Sequence, residues 1–245
     1  MKFLAKFAIM GFLMCLHITS SWSAMVIEGT RVVVRGGDRE TLVRMSNQGN
    51  VPLVVQSWID NGEADRNKSP DQIQVPFALT PPIARVDPSK GQTVRIYPAA
   101  EPLPTDRETL FWFNALEIPP KTKNADENIV QFTIRSRLKL FYRPPALGRD
   151  VPREAIQQVK WTLETDSNGQ KVLRAHNHSP YHFTFGQGET SLHGQTIKLI
   201  GDMASPHGTV DLRADKGADL TGSKTFKLNY INDFGAAVDF VVELP

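Results

Sequence analysis

The chain has 245 residues with 28 Lys+Arg, 26 Asp+Glu, a formal charge of +2 and a single cysteine, Cys15. Lys2 and Lys6 account for the whole excess, since without the first 24 residues 26 basic stand against 26 acidic residues. So balanced a chain offers no global electrostatic case for binding nucleic acid or a membrane surface.

In chain order, residues 1–24 read as a secretory signal peptide. Lys2 and Lys6 form its positive start, Phe7 to Ile18 its apolar stretch, and Ser20, Ser21, Ser23 and Ala24 its small-residue end. The cut falls after Ser23 or after Ala24. Cys15 does not read as a lipidation site, because bulky Met14 precedes it. No later apolar run approaches the length of a membrane-spanning helix, so no stable membrane insertion is expected. Once Cys15 leaves with the signal, the exported chain has no disulfide to rely on and must be held by its core. Roughly 220 residues suffice for that, as one large domain or two small ones.

Short β-rich runs follow between turn signals. They are Met25–Arg35, Glu40–Ser46, Leu53–Asp60, Ile73–Leu79, Gln92–Tyr97, Thr109–Glu117 and Ile129–Tyr142. Gly36-Gly37, Asn47–Asn50, Pro81-Pro82 and Pro119-Pro120 punctuate them. This number and spacing of strands predicts an immunoglobulin-like sandwich. A short helical turn fits at Ala100–Arg107 and another at Pro152–Val159. Arg143-Pro144-Pro145 ends the last strand, because proline has no N–H for a ladder, and makes a natural hinge. A second set follows: Gln158–Glu164, Lys171–Asn177, His182–Gln187, Gln195–Ile200, Gly208–Arg213, Lys224–Ile231 and Ala237–Glu243. The expected fold class is therefore all-β, with an N-terminal domain over 25–145 and a smaller sandwich over 146–245.

The run NIVQFTIRSRLKLFYR, Asn128 to Arg143, carries the most information. Val130, Phe132, Ile134, Ser136, Leu138, Leu140 and Tyr142 alternate with Gln131, Thr133, Arg135, Arg137, Lys139, Phe141 and Arg143. Period two makes this a strand with one apolar and one basic face. At about 3.3 Å per residue it would span on the order of 45 Å, against a usual strand of about 5–6 residues. Part of it is either an ordinary core strand or an overhang whose exposed apolar edge recruits another strand, something proteins normally suppress. In the second case Val130, Phe132 and Ile134 would fill a partner's groove while backbone bonds set the register. Each would contribute roughly 1.5–3 kcal/mol before ordering costs. The basic face of Arg135, Arg137, Lys139 and Arg143 reads as solvated. Arg31 opens a run of β-branched residues in GTRVVV, and a buried or cleft arginine there would want an anion.

Other chemistry is weakly signalled. His176, His178 and His182 lack interleaved carboxylate or thiol ligands, so no metal site is expected. No G-x-S-x-G is present. Gly186-Gln187-Gly188 lacks the strand–helix setting of a nucleotide loop and reads as a turn. Asp106, Glu108 and Glu117 are the residues a glycosidase would need to pair.

Several stretches together resemble the PapD-like family of periplasmic pilus chaperones. LPTDRETLFWFNALEIPP (Leu103 to Pro120) resembles its signature and RSRLKLFYRP (Arg135 to Pro144) the end of its long strand. GTRVVV, QSWID, TPPIARVDP, NHSPYHF and INDFGA match further pieces in family order over nearly the whole exported chain. The resemblance implies two immunoglobulin-like domains set in an L. It implies that Arg31 and Lys139 bind the C-terminal carboxylate of a pilus (fimbrial) subunit. It implies that Val130, Phe132 and Ile134 are donor-strand residues, and that Glu108, Arg143 and Asp233 form an interdomain ion network. The partners implied are fimbrial subunits and an outer-membrane usher, in the periplasm, with no catalytic residue, metal or cofactor. The short segment between Pro119 and Asn128 looks like the short-loop subclass. His178 stands where the family has proline, which is expected to loosen that turn, and Gly201–Gly217 has no clear match. The competing readings are a secreted hydrolase using Asp106 and Glu108, and a passive adhesive module; only a chaperone should bring down a small subunit.

Overall fold

The structure is a computed structural model, described here over residues 25–65, 67–98, 102–120 and 132–245. The signal segment 1–24 and Val130 lie outside the described residues. The first nine strands are β1 (Met25–Ile27), β2 (Arg31–Arg35), β3 (Thr41–Asn47), β4 (Leu53–Asp60), β5 (Phe77–Thr80), β6 (Ile83–Val86), β7 (Gly91–Pro98), β8 (Thr109–Ile118) and β9 (Ile134–Arg143). They form two sheets, ordered β1-β3-β7-β5 and β2-β9-β8-β4-β6. Alternate residues of both point into one core that includes Val34, Ile96, Phe113 and Leu140.

Nine more strands follow. They are β10 (Val159–Thr165), β11 (Lys171–Asn177), β12 (Phe183–Phe185), β13 (Gly188–Leu192), β14 (Gln195–Ile200), β15 (Met203–Ala204), β16 (Thr209–Ala214), β17 (Thr225–Ile231) and β18 (Ala237–Glu243). Their hydrogen bonds run in one continuous path, β10-β11-β16-β14-β13-β17-β12-β15, with β18 on β17. The path folds over on itself through the β13–β14 hairpin. Leu173 and Leu212 from one layer therefore share a core with Phe183, Phe226 and Leu228 from the other.

Several elements differ from the sequence expectation for identifiable reasons. The run 25–35 is not one strand. Gly29, at φ +90°, turns the chain from the first sheet to the second, leaving β1 paired with β3 and β2 with β9. The strand expected at Ile73 begins only at Phe77, just after Pro76, and β6 emerges from a stretch that Pro81-Pro82 made read as a turn. The Gly186–Gly188 motif is not simply a turn, since Gly188 opens β13. Residues 102–107 contain no helix, whereas a 3-10 helix does occupy Arg153–Gln158. The unmatched segment Gly201–Gly217 supplies β15 and β16, and Gly201 is packed so closely on the Phe185 and Gly186 backbone that a Cβ would not fit. His178 does not loosen its turn. Its N–H, which a proline would lack, donates to the Gln158 carbonyl (3.2 Å), while the Asn177 side chain bonds Tyr181 O and Ser205 O.

Candidate functional site: an open strand edge ending at two cations

β2 runs parallel to β9 and begins late. Its first residue, Arg31, is the register partner of Lys139, and the pairing continues only toward Arg35↔Arg143. On its other side β9 is paired along its full length, from Ile134↔Glu117 to Tyr142↔Thr109. Residues 134–138 are therefore bonded on one side only. That leaves about 17 Å of unpaired backbone at about 3.3 Å per residue. The turn at Gly29 carries the incoming chain away from this edge.

The side chains along the edge follow β9's alternation. Leu140 points into the core and is fully buried, and Ile134 shares its face but is 43 % exposed. Phe132, two residues earlier, precedes the strand and is 78 % exposed. The strand is thus shorter than the sequence suggested, ten residues from Ile134 among those described. Its apolar face nevertheless extends beyond the domain's own core.

At the inner end of the edge stand the two cations. Arg31 Nη1 donates to the Ile231 carbonyl (2.9 Å), and its guanidinium lies 5.7 Å from the Phe141 ring centre. Lys139 Nζ donates to Thr184 Oγ1 (3.2 Å). Ile231 and Thr184 belong to the second domain, so the site is built from both. Burial, with the Arg31 charge beside it, holds Lys139 below the usual lysine range, against the pull of Asp202. Burial likewise lowers Arg31, opposed by Asp233 and Glu108. Among the described residues neither cation has a carboxylate within ion-pair distance, and Arg31 Nε is buried without a hydrogen-bond partner. Two half-buried, adjacent cations without a counter-ion make a site for an external anion.

Two nearby carboxylates, Glu108 and Asp233, are committed to Arg143, which is 1 % exposed. Its Nε donates to Glu108 Oε1 (2.9 Å), and its Nη1 and Nη2 fork onto Asp233 at 2.7 and 2.9 Å. A further bond runs from Nη1 to Arg149 O (2.7 Å). Glu108 Oε2 accepts the His182 backbone N–H (2.8 Å), and Glu108 N donates to Pro180 O (2.9 Å). Burial works against the Arg143 charge, but the bonds to Asp233 and the charges of Glu108 and Asp233 outweigh it and raise its pKa. Glu108, Arg143 and Asp233 therefore meet across the two domains, although 35 and 90 residues separate the carboxylates from Arg143 in sequence.

Two expectations need correction. Of Arg135, Arg137, Lys139 and Arg143 only Arg135 is exposed, so the face is not simply solvated. Arg143 is buried, and Arg135 and Arg137 both bond the fully buried Asp60, at 3.1 and 2.7 Å. The carboxylates required by the hydrolase reading are not paired: Asp106 lies 3.9 Å from Arg107 on the surface, Glu108 is held by Arg143, and Glu117 accepts from Met25 N (3.2 Å). The histidines are likewise apart in role, His176 beside Glu164 and His182 against Glu108. Sequence reasoning missed Asp60, Asn114, His182 and Thr184. One signal was available: Phe141, an aromatic residue on an otherwise basic face, marks where the second domain covers β9.

Comparison with known proteins gives concordant results. Residues 24–148 match the N-terminal domain of PapD, a pili and flagellar-assembly chaperone, and residues 154–241 match the C-terminal domain of the pili assembly chaperone PapD. The chain is 44 % identical over 226 residues to the chaperone protein FimB/FhaD of Bordetella pertussis, covering 89 % of this chain and 87 % of that one. It is 39 % identical over 233 residues to the probable fimbrial chaperone YadV of Escherichia coli, covering 93 % of each. The crystal structure of YadV superposes with a TM-score of 0.75 at 35 % identity, over 91 % of this chain and all of that one.

Proposed function

The chain belongs to the PapD-like family of pilus assembly chaperones, and we propose that it binds fimbrial subunits by lending them a strand and delivers them to an outer-membrane usher. Members of this family are assembly chaperones rather than enzymes, and they work in the periplasm. Residues 1–24 would provide the export signal.

One observation carries the reading: an unpaired strand edge terminates at two cations that lack a counter-ion. A segment laid along residues 134–138 would lie on the line of β2 and end where β2 begins. If its last residue is the subunit's C-terminus, the carboxylate arrives between Arg31 and Lys139, and the segment runs parallel to β9. Val130, Phe132 and Ile134 would then continue β9's apolar face into the groove left by the subunit's missing strand. Arg143, Glu108 and Asp233 would hold the two domains at the orientation that brings Thr184 and Ile231 beside the anchor. No nucleotide, metal or other cofactor takes part. Release would follow when another subunit's extension replaces the lent strand.

The charge balance supports this role. Arg143 takes up both Glu108 and Asp233, and Asp202 acts on Lys139 without pairing with it, so the two anchor cations are left for one incoming carboxylate. The test is subunit capture. Arg31→Ala or Lys139→Ala should each weaken the complex by about 2–3 kcal/mol, roughly 30- to 150-fold, as expected when a charged hydrogen bond is lost. Both variants should remain folded. Normal subunit capture and pilus assembly by both would overturn the anchor.

A further inference from the structure

Beyond Lys139, the outward face of β9 continues as an ordered layer. Arg137 lies on the Trp112 ring with its Cζ 4.3 Å from the ring centre, and Arg135 on Trp58 at 4.8 Å. Both bond Asp60, which also accepts from Asn114 Nδ2 (2.8 Å) and Gly62 N (2.8 Å). Asn114 Oδ1 in turn accepts from Arg135 Nε (2.9 Å). Neither guanidinium is free to wander, and one carboxylate serves two arginines. Arg137 Nε is buried, but the Arg135 and Arg137 side chains as a whole stay 34 % and 24 % exposed, so their outer guanidinium nitrogens remain within reach of a newcomer. The layer therefore has surplus positive charge and donors in fixed positions, and it borders the open edge 134–138. The indole faces are already occupied by the guanidinium groups, so in-plane N–H donors are what the layer offers a newcomer. Their natural acceptor is a carboxylate.

A strand lying parallel to β9 places register-matched side chains on the same face. Every second side chain of the docked strand would therefore project toward Arg135 and Arg137, while the others face the apolar side with Ile134 and Leu138. We propose that Arg135 and Arg137, stacked on Trp58 and Trp112 and tied to Asp60, form a second recognition element that selects acidic side chains at these outward positions of the docked strand. This rests on the strand-docking reading above, and it adds sequence selectivity that a carboxylate anchor alone cannot supply.

The test uses short synthetic peptides with a free C-terminal carboxylate and apolar residues at alternate positions. The remaining positions carry Glu, Gln or Lys, and both alternation phases are made. Binding is measured by titration calorimetry. With wild-type protein the Glu peptide of one phase should bind about ten-fold tighter than its Gln counterpart, and the Lys peptide weaker still, as expected for charge-assisted contacts. Added salt should shrink the difference. Arg135→Gln and Arg137→Gln should each reduce it and together abolish it. Equal binding of Glu and Gln peptides in both phases would overturn the proposal, as would a preference that survives both substitutions. The wild-type ranking decides even if a variant unfolds. The C-terminal amide of each peptide separates the two readings: if amides bind as well as free acids while the Glu preference persists, the anchor fails and the arginine layer stands. If no peptide binds, both fall.

Discussion

Phe132→Ala separates a lent strand from a core strand, because the two place the energy in different states. Phe132 is 78 % exposed in the free protein, so about a fifth of its side chain is buried. A fully buried Phe→Ala change costs about 3–5 kcal/mol, and scaling by that fifth leaves about 1 kcal/mol or less for the isolated chaperone. The exposed part is what a subunit groove would cover. Full burial of such a side chain contributes about 1.5–3 kcal/mol, so the complex should lose about 1–2.5 kcal/mol, roughly 5- to 70-fold in affinity. Urea unfolding of the free variant reads the first quantity, and titration with a fimbrial subunit reads the second. Destabilisation of the free protein by 3 kcal/mol or more, with the complex retained, would refute the assignment.

Lys139→Met should raise the stability of the free protein while removing subunit binding, because it deletes a half-buried cation that has no counter-ion. The pH dependence has a definite sign. Burial and Arg31 hold Lys139 below the ordinary lysine value of 10.5, so between the two values the unfolded chain binds more protons. Stability of the free protein attributable to this group therefore rises as pH climbs from the lowered value toward 10.5, and subunit affinity falls over the same window; the Met variant should lack both trends. Asp233→Asn removes one charge from the buried Arg143 cluster and should cost about 1.5–3 kcal/mol of interdomain coupling. Calorimetry should show the single unfolding transition broadening or splitting, and an unchanged transition with unchanged function would show that the cluster does not couple the domains.

Much of this architecture is legible in the chain because the physics is local. The alternation from Ile134 to Arg143 dictates a two-faced strand, and it appears as one. The two cations are visible for a similar reason: Arg31 opens a β-branched run and Lys139 sits mid-strand. That they are register partners depends on parallel pairing between strands more than a hundred positions apart, which no local pattern encodes. Glu108, Arg143 and Asp233 were found only through family motifs, since nothing in their spacing brings them together. The failures have equally specific causes. Arg135 and Arg137 looked solvated because their carboxylate, Asp60, lies 75 and 77 residues away. β6, an edge strand, was missed because proline flanks edge strands as readily as it makes turns, and β13 because the glycine that opens it reads equally well as a turn.

The most direct test of the account is amide hydrogen exchange along β9, with and without a bound fimbrial subunit. In the free protein the alternate amides of residues 134–138 that face the open edge should exchange quickly, while those of residues 139–143 facing β2 are protected. Subunit binding should protect the former set and leave the latter unchanged, and Arg31→Ala should diminish that protection. Exchange at residues 134–138 that is unaffected by a bound subunit would contradict the account.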